Sequence, residues 1–164
     1  MENETRIEHS MSKGILLSLG GAIIGIVAWL AGVGLTGFGI GGALGGVFAA
    51  MLSGLVVGGY KKGKGAPGAV GVIVVAAITF LAATFVVFAG TTIIIFREGI
   101  GRDLFDAFTF LIDILGFDRT ITNAFLFDYA VSVGIAVVFA IAAMVSKKKV
   151  AENNNDSIEE ETKE

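Results

Sequence analysis

Cysteine is absent from the 164 residues, and histidine occurs once, at position 9. The first absence excludes disulfides, thiolate catalysis and cysteine-ligated zinc or iron–sulfur centres. The second leaves nothing that resembles a nucleophile–histidine–acid set, and His9 lies in a polar terminus where a solvated side chain is expected. Charge is also scarce: 16% of residues are charged against 54% hydrophobic, with a mean hydropathy of +0.82. Soluble domains carry about 25% charged residues, so water is the wrong solvent for this chain. The formal net charge of −3 says little about partners, because the acids crowd into Met1–Lys13 and the tail after Val150. No ionisable residue occurs between Gly14 and Tyr60 or between Ala69 and Phe96. Ion-coupled transporters and proton relays need such groups at membrane depth, which weighs against that class.

What the chain has in quantity is long apolar runs. A helix needs roughly 20 apolar residues to cross a hydrocarbon core of ~30 Å. Gly14–Leu35, Ile40–Tyr60 and Ala69–Phe96 meet that requirement outright. The first run is too long for a signal-peptide core and follows an acidic start, so it reads as a retained helix. A fourth run, Tyr129–Val145, is short and must borrow upstream residues. Extending it back to about residue 124 recruits Phe125, Leu126 and Phe127, with Thr120, Thr122 or Asn123 as N-cap. Asp128 then sits about one turn inside. The predicted fold is an all-α membrane protein with spans at about 14–35, 40–60, 69–96 and 124–146, flanked by a polar terminus (1–13) and a basic anchor with a disordered acidic tail (147–164).

The stretch between the third and fourth runs holds Asp106, Asp113, Asp118 and Arg119, which makes a further crossing too costly. At 100° per residue Leu104, Phe105, Phe108, Leu111, Ile112 and Leu115 share one face, and Asp103, Asp106, Thr109 and Asp113 the other. This predicts an amphipathic interfacial helix over about 102–116, lying on the membrane or capping the bundle. Arg6, Lys13, Lys61, Lys62, Lys64 and Lys147–Lys149 fall on one side of the predicted topology, and only Arg97, Arg102 and Arg119 on the other. The excess of basic residues places both termini in the cytoplasm of a cell-membrane protein.

Glycine supplies 24 residues, about twice the ordinary share of ~7%. In the second span Gly42, Gly46, Ala50, Gly54 and Gly58 recur every four residues, beside a second register of Gly37, Gly41, Gly45, Ala49 and Ser53. The first span carries Gly21 and Gly25, and another row of Gly14, Ser18 and Ala22. Such stripes let helix backbones approach closely. The first two spans are expected to form a tight antiparallel hairpin, leaving the wide stripe for the third or fourth span or for another subunit. Trp29 reads as a lipid-facing or interfacial anchor.

Motifs that suggest chemistry dissolve on inspection. Gly32/Gly34/Gly37 and Gly37/Gly39/Gly42 spell G-x-G-x-x-G but follow no strand. Gly58 to Lys64 spells G-x-x-x-x-G-K, yet Gly65 stands where a hydroxyl belongs, and the lysines serve as topology anchors. Asp103, Asp106 and Asp113, with Asp128, form a possible outer-face polar site able to gather a hard cation. The stretch Gly54-Leu55-Val56-Val57-Gly58-Gly59-Tyr60, a short lysine and glycine loop, and Gly68-Ala69-Val70-Gly71 resemble small glycine-rich archaeal multi-pass membrane proteins. The resemblance covers under a third of the chain and implies only a helical membrane fold. No catalytic residue, cofactor, metal or nucleic-acid partner is expected. The partners implied are the lipid bilayer and a homo-oligomer or larger membrane complex. A non-enzymatic scaffold or accessory subunit is the leading expectation, and a small oligomeric channel the alternative.

Overall fold

The computed structural model describes residues 10–36 and 42–161, with 42–44 and 147–161 given by backbone alone. The turn between the first two spans, with Gly37, Gly39 and Gly41, lies outside the described residues, as does His9. Five helices and no strand occur among them: α1 (Met11–Thr36), α2 (Gly42–Lys62), α3 (Ala69–Arg97), α4 (Leu104–Phe117) and α5 (Arg119–Glu161). Three of these, α1, α3 and residues 119–146 of α5, are long and apolar enough to cross a membrane.

Small residues set how the helices pair. A methyl built on Gly25 would fall 2.5 Å from the Leu52 side chain, one on Gly14 2.6 Å from Gly65 Cα, and one on Gly63 2.5 Å from the Lys13 carbonyl. Gly21 abuts the Leu55 carbonyl, Gly59 that of Leu17, and Gly32 the Phe48 ring. Residue numbers rise along α1 as they fall along α2, so the two helices run antiparallel in backbone contact over nearly their whole length. The Ser18 hydroxyl donates to the Val56 carbonyl at 3.0 Å within this seam.

Helix α5 runs parallel to α2 and antiparallel to α3. Ser53 Oγ reaches the Ala136 carbonyl at 2.7 Å, and Lys61 Nζ donates to that of Ala143. Thr84 and Tyr129 share a hydrogen bond of 3.0 Å, and the Phe88 and Phe125 rings meet edge-on at 5.2 Å. Arg97 Nη1 donates to the Gly34 carbonyl at 2.7 Å, tying the end of α3 to the end of α1. The result is an up-down-up-down bundle in which, among the described residues, α1 and α5 touch α2 and α3 but not each other. Its core includes Leu52, Val56, Tyr60, Val75, Ala83, Val86 and Ala136.

Trp29 belongs to that core and is not a lipid-facing anchor. Its side chain is fully buried and stacks on Phe48 with centroids 6.3 Å apart. The cause is its position on the inward row of α1, Gly14, Ser18, Ala22, Gly25, Trp29 and Val33. Four small residues precede it there, so the indole fills volume that they leave. Helix α5 also starts earlier than the apolar run suggests. Asp118 Oδ1 accepts from Thr120 N at 2.8 Å and Ile121 N at 3.2 Å, so Asp118 is the cap, and not Thr120, Thr122 or Asn123. At its other end α5 continues to Glu161, past the expected start of a polar tail at Val150. Extending an existing helix needs no new nucleus.

Candidate functional site

The proposed packing residues divide into two environments. Gly21 and Gly25 lie in the α1–α2 seam. Gly46, Gly54 and Gly58 point away from it, and a methyl on any of them would meet nothing within 4 Å. Ala50 is half-buried and Gly42 opens α2. The inward-facing register of α2 is the neighbouring one: Gly45, Ala49 and Ser53 are buried, and the row continues through Val56 and Tyr60. Gly59 and Gly63, which the four-residue spacing did not single out, also press on α1. Much of the Gly58–Lys64 string therefore has a packing role, with Lys61 bonded to α5.

The outer carboxylates do not converge on one point. Asp103 caps α4, its Oδ1 accepting from Phe105 N at 2.8 Å and Asp106 N at 2.9 Å. Asp106 Oδ2 accepts from Arg102 N at 3.3 Å. Asp103 thus satisfies backbone donors that a helix start leaves open, and Asp106 the N–H just before the cap. Asp113 is exposed on the same helix. Among the described residues no three carboxylate or imidazole groups gather as a metal site. Helix α4 itself buries only Ala107 and Leu111, and Phe105 remains 76% exposed.

Asp128 lies apart from these three, on α5. It is the tenth residue of α5 and exposed. The Thr84–Tyr129 and Phe88–Phe125 contacts bracket it at the level of Phe85 on α3. Phe85 precedes Arg97 by twelve residues, about 18 Å of helix at 1.5 Å per residue.

An apolar groove of about 570 Å³ runs between Leu81, Phe85, Phe88 and Thr92 of α3 and Leu104 and Phe108 of α4. Its hydroxyls are already engaged: Thr92 donates to the Phe88 carbonyl at 2.8 Å, and Thr84 pairs with Tyr129. Such a groove offers hydrocarbon contact and no polar recognition. In the core, Ser53 has the Ala49 carbonyl at 2.6 Å as well as that of Ala136, whereas the fully buried Thr79 hydroxyl has no partner among the described residues.

Comparison with protein-family models, with curated proteins and with solved structures finds no match.

Proposed function

We propose that the chain is a four-pass membrane protein acting as a non-enzymatic scaffold or accessory subunit, with the outward stripe of α2 as its assembly surface. The carrying observation is the open space at Gly46, Gly54 and Gly58. Each glycine costs a helix roughly 0.8–1.0 kcal/mol relative to alanine, and among the described residues nothing lies close enough to require the missing side chains. A helix from outside the chain does, since small residues permit close backbone approach in a bilayer. We infer the crossing of α2 from its company, since it packs along α1 from Phe48 to Tyr60 and would be carried across with it. In this reading the lysine-bearing end faces the cytoplasm, and α4 lies in the opposite interface with its open phenylalanines in the lipid.

The chain has no cysteine, so a single introduced thiol reports on one position. Gly54→Cys is expected to crosslink in native membranes, to a second copy or a partner subunit, while Ile73→Cys, an exposed position on α3, is not. A product that is only monomer at Gly54, with no co-purifying protein in mild detergent, overturns the reading. Liposome flux abolished by Asp128→Asn would instead make the assembly a pore.

A further inference from the structure

We propose that the groove between α3 and α4 holds one acyl chain of a phospholipid from the leaflet on the α4 side, with the phosphate at Arg102. The proposal rests on α3 crossing a bilayer and is independent of the α2 stripe. The α3 side of the groove is a single helical stripe from Leu81 through Phe85, Phe88 and Ala89 to Ile93, so the groove follows the helix axis. Leu81 lies near the middle of α3, and Ile93 one turn before Arg97. The rise from Leu81 to Ile93 is about 18 Å at 1.5 Å per residue. Half of a ~30 Å hydrocarbon core is about 15 Å, so the groove runs the depth of one leaflet. Leu81 and Phe85 on one wall, and Leu104 and Phe108 on the other, are exposed, which leaves it open to the membrane.

The walls select the occupant. A polar ligand finds no free partner there, because Thr84 pairs with Tyr129 and Thr92 with the Phe88 carbonyl. A partner helix is too thick, since an 18 Å length about 10 Å across fills roughly 1,400 Å³, against about 570 Å³ in the groove. A hydrocarbon chain is thin, flexible and abundant at that depth. Its headgroup meets a cation at the α4 end, where Leu104 stands two residues from Arg102. The Arg102 side chain is exposed and has no hydrogen bond or ion pair among the described residues. The carboxylates nearest to it in sequence are taken up by backbone: Asp103 accepts from Phe105 N and Asp106 N, and Asp106 from Arg102 N. The guanidinium is thus left for a phosphate, which arginine can hold by two parallel hydrogen bonds.

The test uses the full-length protein in phosphatidylcholine vesicles doped with a phosphatidylcholine that carries a diazirine at mid-chain. After illumination the labelled residues are located by mass spectrometry. Val27 is the comparison: it is exposed on α1, and the Arg97–Gly34 contact between the parallel helices α1 and α3 sets it level with Gly90, at groove depth. Labelling is expected to concentrate on Phe85, Phe88 and Phe108 over Val27. Ala89→Trp, which fills the groove, is expected to lower labelling of Phe88 and Phe108 by about tenfold, and Arg102→Gln by about two- to fivefold, with Val27 unchanged in both. Equal labelling of the groove and Val27 in the wild type overturns the proposal, and that comparison stands even where Ala89→Trp fails to fold. Groove labelling that survives Ala89→Trp in a folded protein overturns it as well, and an unchanged level in Arg102→Gln overturns the phosphate contact. Absence of label from Val27 and groove alike would mean that α1 and α3 do not cross the bilayer, and the membrane reading falls with the proposal.

Discussion

A methyl group added at Gly21 runs into the backbone carbonyl of Leu55, whereas one added at Gly54 meets no atom within 4 Å. Gly21→Val must therefore push α1 off α2 and is expected to destabilise the monomer by about 1–3 kcal/mol, as overpacked cores are. Gly54→Ala is expected to do the reverse, stabilising it by up to about 1 kcal/mol through helix propensity. Unfolding of both variants by denaturing detergent in mixed micelles reads the two signs against wild type. Four-residue spacing displays both rows of α2, yet it does not tell which one faces inward. In a soluble helix polarity marks the outer face, but here Gly46 and Gly45 are equally small and uncharged. The choice is made by neighbours, because Ser18 and Leu17 of α1 need the space at Val56 and Gly59. Thr79 supplies a second test at this scale. Its hydroxyl is buried with no partner among the described residues, and an unmet polar group costs about 1–3 kcal/mol. Thr79→Val keeps the shape and removes that cost, so the same unfolding assay is expected to show stabilisation of about 1 kcal/mol or more.

The starts of α4 and α5 are decided by single aspartates. Asp103 and Asp118 each present one carboxylate oxygen to two backbone N–H groups at the start of α4 and α5. Replacing either with alanine is expected to cost about 1 kcal/mol, seen as faster hydrogen exchange over the first turn of the helix concerned and not elsewhere. The α4 signal was legible because its polar face alternates with an apolar one at helical spacing. The start of α5 was not, since Thr120, Thr122 and Asn123 are all plausible caps and the apolar run proper begins beyond Asp128. Trp29 escaped the sequence for a related reason. A lone tryptophan in an apolar run suits an interface as well as a core, and only the small residues on its own face, from Gly14 to Gly25, show that there is room for it inside.

Charge is segregated along the bundle. At one end the described side chains include Lys13, Lys61, Lys62 and Lys64 and no acid; at the other stand Arg97, Arg102 and Arg119 among Glu98, Asp103, Asp106, Asp113 and Asp118. The long, apolar character of α1, α3 and α5 was readable from composition alone, because bilayer thickness fixes the length of a spanning helix. The hydropathy of α2 is diluted by glycine, so its proposed crossing rests on antiparallel contact with α1. If that contact carries α2 across, reporter fusions after residues 38, 63, 110 and 150 are expected to alternate outside, inside, outside, inside. The loop after α2 is the decisive position, since an interfacial α2 leaves residue 63 outside, on the same side as residue 38. Basic residues near helix ends bias orientation while acidic ones contribute little. Replacing Lys61, Lys62 and Lys64 with glutamine therefore removes the central part of the cytoplasmic signal while leaving Lys13 and Lys147–Lys149 in place. The reporter after residue 63 is expected to lose part of its inside signal, and the reporter after residue 150 to keep it. An unchanged pattern would mean that the packed α1–α2 hairpin inserts as a unit, oriented by its flanking charges without help from those in the loop after it.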